Sequence, residues 1–175
     1  QMQAENTVVI DTRSILAFGG GHIPGAINIA LRPEFPNWVG WMVNPEQSLL
    51  LVVESERDVK LVTEQLFRIG YDNLAGYLHD GMTSWQNAGL PLQHLGEWTV
   101  RELNQHKDEP NVTVLDVRGD DEYQQGYVPG AEHIFVAHLE EHLDRLDKNQ
   151  AIATYCGTGY RASIAASLLQ KHGFE

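Results

Sequence analysis

The sequence predicts two α/β domains in tandem, each built on a mostly parallel sheet flanked by helices. Three observations predict it. A pair of motifs occurs twice at one fixed offset, β-branched runs alternate with segments of helical spacing, and a short Gly/Pro connector parts the two copies. Strands that alternate with helices are joined by crossovers, which make neighbouring strands parallel.

The first copy opens with Thr7-Val8-Val9-Ile10-Asp11-Thr12-Arg13, a β-branched run ending in a polar Asp-x-Arg, followed by Gly21-His22-Ile23-Pro24-Gly25-Ala26. Leu49 to Val53 is continuously apolar, as in a strand buried on both faces. Asp58 to Ile69 has helical spacing, with Gly70 to stop it. Asn73 to Leu78 reads as a further strand, and Asp80 to Ala88 as a helix with Asp80 at its N-cap and Gly89-Leu90-Pro91 at its end. Trp38 and Trp41, in the connecting region, are expected to pack in the core or between the domains.

The connector from Gly89 to Gly96 divides the chain into residues 1–91 and 92–175. Thr99-Val100-Arg101-Glu102 has the spacing of a capping box and opens the second copy with a helix. Val112 to Arg118 then repeats the Asp-x-Arg strand, and Gly126-Tyr127-Val128-Pro129-Gly130-Ala131 repeats the turn. The offset is 105, from Asp11 to Asp116 and from Gly25 to Gly130. Asp120 is the expected N-cap of a short helix to Gln125 with Gly126 at the stop, and His138 to Leu146 a polar-faced helix. Ala151 to Tyr155 reads as a short buried strand and Ala162 to Lys171 as a helix. The first copy runs on from Gly70 to Pro91, whereas the second ends just past Gly173. A final strand and helix of the second copy are expected to be missing, as in a piece of a longer chain.

Twelve Lys+Arg against 24 Asp+Glu give a formal charge of −12, the wrong sign for holding a phosphate backbone, so no nucleic-acid partner is expected. There is no apolar run long enough for a membrane span and no signal-peptide pattern, and a cytoplasmic, membrane-free protein is the expectation. The single cysteine, Cys156, cannot form an intrachain disulfide and agrees with a reducing compartment.

Cys156 lies in Tyr155-Cys156-Gly157-Thr158-Gly159-Tyr160-Arg161, between the last strand and the last helix. A buried structural cysteine does not call for glycines beside it; glycine serves where the backbone must turn sharply or approach a ligand. A helix N-terminus favours an anion, and the thiolate is the first anion so favoured. Arg161 adds a permanent cation at the rim.

These motifs resemble the signature blocks of the rhodanese-like sulfurtransferases: Asp116-Val117-Arg118, Gly126 to Ala131 and Cys156 to Ser163 in the second copy. Asp11-Thr12-Arg13, Gly21 to Ala26 and the tail from Gly70 through Trp85 to Pro91 match in the first. The resemblance implies five-stranded sheets and an active loop from Cys156 to Arg161. Its catalytic residues are Cys156 and Arg161, its donor-binding backbone Gly157, Thr158, Gly159 and Tyr160, with Asp116 and Arg118 in support. It implies a double displacement in which Cys156 takes the outer sulfur of thiosulfate or a low-molecular-weight persulfide and passes it to a thiol, with no cofactor and no metal. The first copy reads Val53-Glu54-Ser55-Glu56-Arg57 at that place and resembles the inactive half of tandem rhodaneses. Phe35 to Trp41 is further similar to the double-rhodanese tails of metallo-β-lactamase fusions, implying an upstream metallo-hydrolase domain in a longer parent chain.

Two rivals remain. The fold also hosts cysteine phosphatases, but their loop has five residues between Cys and Arg against four here. A non-enzymatic sulfur-sensing or protein-binding module also fits a reactive cysteine beside an inert domain. His138 and His142 have helical spacing without a completing ligand and read as a solvated face; Arg118 reads as paired locally with Asp116 or Glu122, and His22 as structural.

Overall fold

The computed structural model describes residues 6–174. They fall into two compact units, one ending at Leu95 and one starting at Gly96. Leu92 and Leu95 pack on the core of the first unit, and the Leu95 amide donates to the Gly19 carbonyl at 3.1 Å. The connector after Pro91 therefore stays with the first unit.

The first unit runs β1 (Thr7–Asp11), α1 (Ile15–Gly19), β2 (Ile27–Asn28), α2 (Phe35–Met42), β3 (Ser48–Val52), α3 (Asp58–Arg68), β4 (Leu74–Tyr77) and α4 (Gly81–Asn87). Its strands are parallel in the order β2-β1-β3-β4. Ile10, Leu49, Leu51 and Val52 are buried, as the apolar runs require, with Phe18, Phe35, Val39 and Leu66 from the helices against them. Each such side chain contributes about 1.5–3 kcal/mol of burial. Gly70 stops α3 in a left-handed conformation, φ 84°.

The second unit runs α5 (Val100–His106), β5 (Val112–Asp116), α6 (Asp120–Gln124), β6 (Glu132–His133), a 3₁₀ segment (Val136–Arg145), β7 (Ala151–Tyr155) and α7 (Tyr160–Lys171). Its strands are parallel in the order β6-β5-β7, and β7 is part-buried rather than buried, because among the described residues it is the edge of the sheet. The register repeats that of the first unit: Asp11 faces Asn28 and Val52, and Asp116 faces His133 and Tyr155. Leu115, Leu139, Ile164 and Leu168 fill the core. The Thr99 capping box is formed, Thr99 N donating to Glu102 at 2.7 Å and Glu102 N to the Thr99 hydroxyl at 3.3 Å.

Several expectations are corrected. The sheets have four and three strands among the described residues rather than five. In the first unit the segment after α4 makes a single antiparallel bridge, His22 with Gln93, beside a proline that has no N–H to give a ladder. In the second, the described residues extend only through α7 and Phe174, and α7 matches α3, the element before β4. Asp80 does not cap α4 through its side chain but sits in the left-handed region, φ 56°. The N-cap of α6 is Gly119, with Asp120 inside the helix. Phe35 to Met42 is a helix, and Trp41 on it is 59% exposed, so it is not a core residue of the first unit. His138 to Leu146 is not one α-helix: the 3₁₀ segment breaks at His142 (φ −126°, ψ 20°), so the two histidines do not share a helical face.

Candidate active site

The register of β7 against β5 sets Tyr155 opposite Asp116, so Cys156 is the first residue past the C-terminal end of the strand. It is half-buried. The chain turns through Gly157 and Thr158, both exposed, and enters α7 at Tyr160, which is buried. Gly159 is the N-cap in a left-handed conformation (φ 81°, ψ −17°), which only glycine adopts without strain. The first helical bond runs from Ser163 N to Gly159 O at 2.8 Å. The amides of Gly159, Tyr160, Arg161 and Ala162 therefore have no acceptor within the helix and carry its positive end. The Thr154 hydroxyl donates to Ala162 O at 3.0 Å and ties strand to helix across the loop. A Cβ built on Gly157 would meet nothing within 4 Å, so that side of the loop is open.

Arg161 is not a lone rim cation. Its Nη2 donates to Glu122 Oε1 at 2.7 Å and its Nη1 to Glu122 Oε2, a two-pronged pair across 39 residues. Glu122 Oε2 also accepts from Gly119 N at 3.3 Å, which fixes the carboxylate on the first turn of α6. The hydrogen bond to Glu122 raises the Arg161 guanidinium further above its ordinary value, and the neighbouring Cys156 adds to this. The Arg161 hydrogen bond holds the Glu122 carboxyl below the usual range. The pairing of Arg118 with Glu122 is thus replaced. Nothing local in the sequence marks Glu122 as the partner of Arg161, because only the fold brings them together.

Arg118 is engaged elsewhere. Its Nε lies 2.9 Å and its Nη2 2.6 Å from the two Asp116 carboxylate oxygens, and Nη2 also donates to Gly126 O at 2.7 Å. The first unit repeats this arrangement with Arg13, Asp11 and Gly21 O. Both pairs are salt bridges that hold the turn to the strand end, as expected. They differ in one partner: the Tyr155 hydroxyl donates to Asp116 Oδ2 at 2.5 Å and accepts from Val128 N at 3.1 Å, where the first unit has Val52. Burial pushes both carboxyls up. Donors from Arg118 and Tyr155 outweigh it at Asp116, which is held below the usual range, whereas burial wins at Asp11. His22 is structural, buried with its ring stacked on Phe18 at 3.7 Å.

In the first unit Val53 takes the place of Cys156, one residue past Val52. The connection from β3 to α3 carries Glu54 and Glu56 instead of glycines. A cavity of about 390 Å³ lies there, lined by Val53, Glu54, Glu56, Asp80 and Met82 among others, its wall formed by α4. Glu56, His79 and Asp80 cluster on the surface; both His79 ring nitrogens face carboxylates, at 3.5 and 3.2 Å, as in an exposed ion-pair group. Among the described residues no helix is long and apolar enough to cross a membrane.

The family model for the rhodanese-like domain matches residues 1–88 and 99–175. The thiosulfate sulfurtransferase GlpE of Coxiella burnetii is 30% identical over 84 residues, 48% of this chain and 73% of that protein. YrkF of Bacillus subtilis is 34% identical over 65 residues, 37% of this chain, which spans only 35% of YrkF. The HTH-type transcriptional regulator Rv0324 of Mycobacterium tuberculosis is 39% identical over 62 residues, 35% of this chain and 27% of that protein. Among solved structures, thiosulfate sulfurtransferase from Pseudomonas aeruginosa is similar with TM-score 0.43 and 21% identity, over 97% of this chain and 38% of that one. None of these relatives carries support for a metallo-β-lactamase fusion.

Proposed function

The chain belongs to the rhodanese-like domain family, and on that premise we propose that it is a sulfurtransferase in which Cys156 carries the sulfur. The observation that supports this most is the position of Cys156, half-buried at the end of β7 and followed by four helix-start amides without helical acceptors. The Cys156 thiolate attacks the outer sulfur of thiosulfate or a persulfide. The donor S–S bond breaks, a bond from Sγ to the transferred sulfur forms, and the electron pair leaves with sulfite or with the donor thiolate. The amides of Gly157, Thr158, Gly159 and Tyr160 face the persulfide anion, and Arg161 steadies loop and charge. An acceptor thiolate then attacks the outer sulfur and Cys156 leaves as thiolate. Asp116 and Arg118 support the loop from below, through Tyr155.

Mass spectrometry of the protein after exposure to thiosulfate and to glutathione persulfide tests this reading, alongside turnover with cyanide or a thiol acceptor. Wild type gains one sulfur atom on Cys156 and turns over; Cys156→Ala does neither. Equal transfer by both proteins would remove Cys156 from the chemistry.

A sulfur-sensing module is the second reading, favoured by the relative that is named a transcriptional regulator. It differs in one outcome: the Cys156 persulfide forms but is not turned over.

A further inference from the structure

We propose that Glu122 selects the sulfur donor, neutralising Arg161 so that the loop favours a thiol persulfide over the dianion thiosulfate. The proposal rests on the sulfurtransferase reading above and assigns a role to a residue outside the loop. Arg161 is the only Lys or Arg between Tyr155 and Gln170. Both of its terminal nitrogens are turned to the Glu122 carboxylate. The next cation, Arg118, is consumed by Asp116 and the Gly126 carbonyl. Asp120 and Asp121, on the same turn of α6 as Glu122, are exposed, so solvent screens them from the loop. Arg161 thus neighbours Cys156 as one half of an ion pair, and the helix-start amides are the positive charge at the loop that has no carboxylate partner.

The two donors place different charge on that site. Attack of the Cys156 thiolate on thiosulfate brings three negative charges together and expels sulfite, a dianion. Attack on a protonated persulfide brings one and expels a thiolate, breaking the donor S–S bond and forming the bond to Sγ in both cases. A carboxylate beside the only loop cation opposes the first reaction more than the second. Discrimination of this kind comes from a repulsive element as much as from an attractive one. Glu122 acts through Arg161 and is a positioning residue.

The test measures kcat/KM for thiosulfate and for glutathione persulfide with wild type, Glu122→Gln, Glu122→Asp and Asp121→Asn. Wild type favours the persulfide. Glu122→Gln raises the thiosulfate-to-persulfide ratio on the order of tenfold, because Arg161 is released from its carboxylate and can meet the dianion. Asp121→Asn removes the same charge one residue away, without touching Arg161, and leaves the ratio unchanged. Glu122→Asp keeps the charge and the wild-type ratio, and serves if the Gln variant does not fold. Raising the salt concentration on wild type moves the ratio toward thiosulfate without any mutation. A proportional fall with both donors in Glu122→Gln, or an equal shift in Asp121→Asn, overturns the proposal while leaving sulfur transfer intact. Absence of any Cys156 persulfide in wild type removes the sulfurtransferase reading itself.

Discussion

Tyr155 and Asp116 are joined by a 2.5 Å hydrogen bond from the phenol to Oδ2, between the last residues of two neighbouring strands. The same phenol accepts from the Val128 amide at 3.1 Å. One side chain thus links the strand end, the Pro-Gly turn and the residue before the nucleophile. Tyr155→Phe leaves the fully buried Asp116 carboxylate short of a donor and strands the Val128 amide. It is expected to cost about 1–3 kcal/mol in urea unfolding. An unchanged unfolding midpoint would show that the phenol contributes nothing net.

Acid should act differently on the two units. The folded carboxyl of Asp116 lies below its unfolded value, so its stabilisation is present above about pH 4 and is lost as pH falls through the folded value. The folded carboxyl of Asp11 lies above its unfolded value, so its contribution runs the other way and grows as pH falls. Hydrogen exchange followed from neutral to acid pH is expected to open the β5 amides of Val114 and Leu115 before the β1 amides of Val9 and Ile10. Earlier opening of β1 would contradict the assignment of these two directions.

The two loop glycines should respond in opposite ways. Gly159 has φ 81°, and an alanine there is strained by about 1–2 kcal/mol whatever space it finds. Gly157 has neither a left-handed φ nor any atom within 4 Å of an added Cβ. Gly157→Ala is therefore expected to leave stability within about 0.5 kcal/mol of wild type, or slightly above it, since alanine narrows the unfolded ensemble. Thermal unfolding of both variants checks this, and equal destabilisation would refute the difference.

What was legible in the sequence was whatever repeats or lies close along the chain. The Asp-x-Arg strands, the Pro-Gly turns, the Thr99 cap and the Gly70 stop all rest on contacts within a few residues, and each is in place. The partner of Arg161 was not legible, because Glu122 is 39 residues away and its own neighbourhood offers Arg118 as a nearer cation. The N-cap of α6 lies one residue before the Asp120 that the sequence suggests, while α4 does start from Asp80 but without a bond from its side chain. An Asp at a helix start is a candidate cap by type, but Asp80 takes the left-handed region and Asp120 lies already inside its helix.

Restoring a thiol to the first unit should not restore reactivity. Val53 stands where Cys156 stands and is buried, so Val53→Cys removes little volume and is expected to fold. The loop that follows is unsuited to an anion. Glu54 and Glu56 replace glycines, the connection from β3 to α3 has one residue more than that from β7 to α7, and Asp58 stands in the first turn of α3. The N-cap is Arg57 in a right-handed conformation, not a left-handed glycine, so the turn into the helix differs. Carboxylates beside a thiol favour its neutral form, which is not the nucleophile. In a Cys156→Ala background, the introduced thiol is expected to react with iodoacetamide at least about tenfold more slowly than Cys156 does in wild type. It should also gain no sulfur from glutathione persulfide. Alkylation and sulfur uptake at the wild-type rate would mean that strand-end position alone activates the thiol, and that the glycines and the Arg161–Glu122 pair are dispensable.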